Sequence, residues 1–184
     1  MPVSEATYKQ LSLEDDENKW ELVCGQLRTK PGMTHSHADV AMQLAFILLR
    51  QLDRRAFRVR ENNSRTRVEQ GTYFIPDITV VPYELTGPKL GSPDDELEAY
   101  AVALPFVAEI WSKSTGGYDV RDKLPEYQRR GDHEIWLIHP YERKVTIWRR
   151  QPVGGYARED VAAGVVTVAS LPNVSIDLAE LFDY

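Results

Sequence analysis

Phe74-Ile75-Pro76-Asp77-Ile78-Thr79-Val80-Val81 and Leu104-Pro105-Phe106-Val107-Ala108-Glu109-Ile110-Trp111 are two nearly continuous apolar runs, each broken by one acid. Runs of this length, rich in β-branched and aromatic residues, read as strands buried on both faces. An isolated ionised carboxylate there is costly or takes up a proton. Taken singly, Asp77 and Glu109 each need only a basic partner or an exposed strand end. Taken together, two carboxylates converging from neighbouring strands make a hard, oxygen-rich site suited to Mg²⁺ or Mn²⁺.

The rest of the chain frames these strands. Val40, Ala41, Leu44, Ile47, Leu48 and Leu52 fall on one stripe at helical spacing, so residues 37–53 read as the longest helix, capped by Thr34 or Ser36. Residues 119–130 read as a second helix, stopped by Gly131. Residues 134–138 make a third buried strand, and residues 144–148 an edge or hairpin strand before the Gly154-Gly155 turn. Residues 20–23 and 26–29 form a hairpin about Gly25, which Lys30-Pro31-Gly32 ends. Residues 57–60 and 65–68 alternate and read as another hairpin with exposed arginines. Residues 82–101 read as a surface excursion with one helical turn and the acidic cluster Asp94-Asp95-Glu96-Leu97-Glu98. The order predicts an α/β domain, a mixed sheet with helices packed on it. One domain spans 1–184, with a polar segment at 1–18 and strands plus a short helix at 141–184.

Composition bounds the function. The chain has 184 residues, 42% hydrophobic, enough to bury roughly 70% of its unfolded surface. Its net charge of −6 argues against a dedicated basic coat for nucleic acid. That charge is uneven, however. Residues 50–67 hold seven arginines against two acids, which leaves −11 for the remainder. Alternating Arg58, Arg60, Arg65 and Arg67 would present guanidinium groups on one hairpin face, either to hold phosphates or to discourage edge pairing. Cys24 is the one cysteine, so no intrachain disulfide forms, and a cytoplasmic location is expected. It reads as a small buried hydrophobe. No signal-peptide pattern and no apolar run near ~20 residues is visible, so no membrane partner is expected. His35 and His37 lack the spacing of a helical zinc pair, and Ser112-Lys113-Ser114-Thr115 lacks a P-loop's glycine frame.

The series Pro76-Asp77, Glu109-Ile110-Trp111-Ser112, Asp119-(x)3-Lys123-(x)3-Tyr127, Gly131 and Glu134-Ile-Trp-Leu-Ile-His-Pro140 resembles the PD-(D/E)XK nuclease superfamily. More narrowly, it is similar to that superfamily's small restriction-endonuclease branch of bacterial proteins. Trp20-Glu21-Leu-Val-x-Gly-Gln-Leu and His37 at the head of the first long helix add to the likeness, which spans about Trp20 to Pro140. The resemblance implies a restriction-endonuclease-like core, a mixed central β-sheet flanked by helices with additional β-hairpins. It implies Asp77, Glu109 and the Ile110 carbonyl as ligands of Mg²⁺ or Mn²⁺, and hydrolysis of phosphodiester bonds in DNA. Trp111 stands where the signature has lysine. The branch's lysine lies in the next helix, where Lys123 matches; Lys113 is its rival. Glu21 would add an acidic group or face solvent as a strand glutamate. His37 would contact the cleft or simply start the helix, and Tyr127 would orient Lys123 or pack. Fold-level analogy with dimeric restriction enzymes adds a possible homodimer. The alternative is a non-catalytic nucleic-acid-binding or partner-dependent module that keeps the fold.

Overall fold

The computed structural model describes residues 2–69, 71–86 and 96–183. Helix α1 (Glu5–Glu14) is capped by Ser4, whose Oγ accepts from the Thr7 amide. Strands β1 (Trp20–Val23) and β2 (Gln26–Thr29) follow as a hairpin. Its two-residue turn has φ of 49° at Cys24 and 78° at Gly25, the doubly left-handed form that matches strand twist. Cys24 is therefore an exposed turn residue and not the buried hydrophobe expected from its strand-like neighbours. Helix α2 (His35–Gln51) starts on Thr34, whose hydroxyl accepts from the His37 amide, and buries the expected apolar stripe.

The sheets are built from β3 (Phe57–Glu61), β4 (Arg65–Val68), β5 (Thr72–Phe74), β6 (Ile78–Pro82), β7 (Ala99–Tyr100), β8 (Phe106–Ile110), β9 (Glu134–His139), β10 (Lys144–Arg150) and β11 (Tyr156–Val161). The larger sheet has the order β11-β10-β9-β8-β6-β3, and the smaller β2-β1-β5-β4-β7. Strands β8 and β9 are parallel, and so need a crossover. It is helical: α3 (Tyr83–Thr86) lies earlier, and α4 (Gly116–Tyr118), a π-helical turn (Asp119–Lys123) and α5 (Leu124–Arg130) form the crossover itself. Gly131, at φ 82°, ends it in a left-handed cap. Strands β12 (Val165–Thr167) and β13 (Ser175–Asp177) pair, and α6 (Leu178–Leu181) closes the chain.

Alternation along the strands divides the large sheet into two faces. Ile78, Val80, Phe106, Ala108, Ile110, Trp136 and Ile138 pack with α2 and α6. Val81, Val107 and Ile135 pack on the other side with Tyr118, Leu124 and Tyr127 of the crossover. The parity of Asp77 and Glu109 sets both on this second face.

Two expected elements are corrected. Residues 74–81 are not one strand, because β5 ends at Phe74 in the small sheet and β6 begins at Ile78 in the large one. Pro76 lacks the N–H that a continuous ladder would need, so Ile75-Pro76-Asp77 bridges the two sheets. The arginine hairpin does not form either. Strand β3 pairs with β6, and β4 with β5 and β7. The alternation within each strand is as read, but each takes the partner that covers its own apolar side. Of the acidic cluster, Asp94 and Asp95 lie outside the described residues. Among those described, no helix is long and apolar enough to cross a membrane.

Candidate active site

The β6–β8 ladder pairs Ile78 with Ala108, so one further step sets Asp77 across from Glu109. Both are about 2% exposed. Asp77 Oδ2 accepts from the Ile110 amide at 2.6 Å and from His37 Nε2 at 3.0 Å. Its Oδ1 meets Lys30 Nζ at 2.7 Å. Glu109 Oε1 accepts from Tyr127 Oη at 2.5 Å and from Lys123 Nζ at 3.2 Å.

The small sheet supplies the opposite wall. Glu21 and Arg28 are cross-strand partners on β1 and β2, so they share a face. Glu21 Oε1 accepts from the Ile75 amide at 2.8 Å and lies 3.0 Å from Lys123 Nζ. Its Oε2 accepts from Tyr118 Oη at 3.1 Å. The Arg28 guanidinium lies 3.6 Å over the Tyr118 ring. Lys30, two residues on, donates to the Ile75 carbonyl at 2.7 Å. Asp119, one turn before Lys123, is 3.6 Å from its ammonium. These groups, with His37, Met33, Ser112 and Thr115, line a cavity of about 20 Å³, room for roughly one water-sized species.

The electrostatics are those of a crowded anionic site. Four carboxyl groups, Glu21, Asp77, Glu109 and Asp119, face two ammonium groups, Lys30 and Lys123, and the Arg28 guanidinium. Burial alone would raise Asp77, but Lys30 and His37 hold its carboxyl well below the usual carboxylate range. Burial pushes Glu109 up to about 8, against the pull of Lys123. Burial likewise raises Asp119. For Lys123 burial works against the charge, yet Glu109, Glu21 and Asp119 raise it well above the ordinary lysine value. Asp119 Oδ1 and His37 Nδ1 are buried without a hydrogen-bond partner.

This excess of hard oxygen acceptors fits a small divalent cation, which is commonly held by one or two carboxylates plus water and substrate phosphate. Among the described residues no three His, Cys, Asp or Glu side chains converge as a ready ligand group. Asp77 and Glu109 would therefore need backbone and water oxygens to complete the shell. Ile110 faces Asp77 through its amide N–H, a donor and not a ligand, so any ligation by this residue falls to its carbonyl.

The structure brings Asp77, Glu109, Lys123, Glu21 and His37 to one cleft. Lys113 is exposed and lies outside it. So do the four arginines. Arg60 is paired with Glu98 at 2.8 Å and Arg67 with Glu5 at 3.0 Å. Arg65 is buried against the Asn63 carbonyl, and Arg58 stacks on Tyr83. Arg58 and Arg60 lie on β3 of the large sheet, Arg65 and Arg67 on β4 of the small one. The sequence reading missed Lys30, Arg28, Tyr118 and Asp119 as cleft residues. A signal existed for the first two: the Cys24-Gly25 turn fixes the register that opposes Arg28 to Glu21, and period-two alternation carries the same face on to Lys30. Trp111, in the place of the signature lysine, stacks on His139 at 4.3 Å between ring centroids and lies over Gly116.

A solved crystal structure from Anabaena variabilis ATCC 29413, described as "a putative nuclease belonging to DUF820", shares this fold. The two agree at a TM-score of 0.77 over 98% of each chain, with 20% sequence identity. No curated protein matches. The model of a family described as "putative restriction endonuclease" matches residues 6–179, a stretch that contains every side chain converging on the cleft, and the chain belongs to that family, Uma2.

Proposed function

We propose that the protein is a divalent-metal-dependent endonuclease that hydrolyses phosphodiester bonds in DNA. The observation that carries this is the placement of Asp77, just before β6, opposite Glu109 of β8, with the Lys123 ammonium 3.2 Å from Glu109 in the same buried cleft. The family description and the nuclease description of the Anabaena relative support it. Asp77, Glu109 and the Ile110 carbonyl are the proposed ligands of Mg²⁺ or Mn²⁺. When bound, such an ion polarises a phosphate oxygen and lowers the pKa of a water.

The chain's own groups have separate tasks. His37 and the Ile110 amide fix the orientation of Asp77. Tyr127 and Lys123 do the same for Glu109. Lys123 stays an ammonium among carboxylates and can stabilise negative charge developing on phosphate. Arg28, held over Tyr118 at the cleft wall, supplies a local phosphate contact that the separated arginines do not.

Plasmid cleavage tested with Mg²⁺, Mn²⁺ and chelator is expected to give metal-dependent nicking. Asp77→Ala should lower it at least about 100-fold, the scale of losing a principal electrostatic contributor. If the protein binds neither ion and cuts neither DNA nor RNA, the proposal fails. One observation favours the second reading, a non-catalytic module: Lys30 and Lys123 already neutralise part of the carboxylate cluster. That reading predicts nucleic-acid binding without turnover.

A further inference from the structure

Lys30 belongs to no signature in the sequence, yet it is among the most tightly engaged groups of the cleft. Its side chain is 9% exposed, and its ammonium lies 2.7 Å from both Asp77 Oδ1 and the Ile75 carbonyl. The two oxygens of Asp77 are used differently. Oδ2 is held by the Ile110 amide and His37, both part of the scaffold. Oδ1 is held by Lys30. Removing Lys30 therefore frees one hard anionic oxygen without releasing the carboxylate from its orientation.

The two lysines of the cleft are not equivalent. Lys123 rises from the helical crossover and is surrounded by Glu21, Glu109 and Asp119 within 3.6 Å. Lys30 follows β2 and is succeeded by Pro31 and Gly32, which also line the cleft. Its partners there are Asp77 and a backbone carbonyl. A four-carbon stem lets its ammonium move away while the backbone stays in place.

We propose that Lys30 is a built-in occupant of the cation seat on Asp77, displaced when a divalent metal binds. The proposal rests on the metal-dependent reading of the site. An ammonium and a divalent ion both seek hard oxygens, and the two cannot contact Asp77 Oδ1 together without strong mutual repulsion. In the absence of metal, Lys30 offsets the buried charge of Asp77. With metal present, it is released toward the cleft opening. Binding of the ion and seating of the lysine are then negatively coupled through one oxygen.

The test is Mn²⁺ titration of the full chain without nucleic acid, followed by calorimetry and by electron paramagnetic resonance. Lys30→Met keeps the length of the stem and removes the charge; Lys30→Gln also keeps a donor for the Ile75 carbonyl, and serves if the first variant does not fold. Either is expected to bind Mn²⁺ about tenfold or more tightly than the wild type, within the usual range of site-to-site coupling. A lysine that merely supported the fold would give the opposite sign. Equal or weaker binding by a variant with a native circular dichroism spectrum overturns the proposal. If the wild type binds Mn²⁺, and Asp77→Ala abolishes it, that failure is confined to Lys30. If neither the wild type nor the Lys30 variants bind, the metal site itself is refuted, and the proposal falls with it.

Discussion

Lys123 shows how much of the site depends on one side chain. It is 2% exposed and faces three carboxyl groups. Breaking a buried charge cluster by removing one partner leaves its neighbours uncompensated, at a cost of roughly 3–5 kcal/mol. Lys123→Met is expected to lie near the lower figure, because protonation of Glu109 relieves part of the repulsion. Urea unfolding followed by tryptophan fluorescence measures this. Lys113→Ala, at an exposed position, should change stability by no more than about 0.5 kcal/mol. Lys123 was legible through the family resemblance, which places a lysine in the helix after Glu109, and the observed helix shows why that place serves. Asp119, Lys123 and Tyr127 lie four residues apart, so one face of a helix carries all three toward Glu109. Lys30 could not be read in the same way. Its partner, Asp77, lies 47 residues further along the chain, at the entry to the large sheet. Local patterning gives the direction of a side chain, not what stands opposite it.

At the scale of elements, the helical crossover aims Asp119, Lys123 and Tyr127, and Gly116 sets where it begins. A Cβ at Gly116 would stand 1.8 Å from Trp111 Nε1. The indole cannot yield cheaply, because it is stacked on His139. Gly116→Ala should therefore cost about 1–3 kcal/mol, as overpacking does, and should depress cleavage by shifting the crossover. Thermal unfolding and a cleavage assay on the same sample read both effects. Trp111 thus has a structural use at the position of the signature lysine. The periodic stripe of α2 and the continuous apolar runs of β8 and β9 were legible in the sequence. The partners of β3 and β4 were not. An alternating strand states which side must be buried, and several neighbours can satisfy that. The same limit hid the break inside 74–81, where Pro76 alone hinted that the run changes sheets.

For the whole molecule, the net charge is −6, and Arg60 and Arg67 are engaged by Glu98 and Glu5. If phosphate contacts come mainly from Arg28 and the cleft lysines, only about two or three counterions are released on binding duplex DNA. The slope of log K against log salt should then be about −2 to −3. Fluorescence anisotropy in Ca²⁺ measures it, and a slope near −6 would point to a broad basic surface. The division of the cleft between two sheets has a further consequence. Glu21 and Arg28 belong to the small sheet and Lys30 directly follows its strand β2; α1 and the Tyr8–Tyr73 cluster hold that sheet together. Asp77 and Glu109 are anchored with the large sheet and its Trp136 core. Cooperative units of unequal stability open separately under mild denaturant. Partial opening of the lesser unit would dismantle the Glu21–Arg28 wall of the cleft while the Trp136 core stays folded. Inactivation should accordingly precede global unfolding, with hydrogen exchange faster in 20–30 than in 134–139.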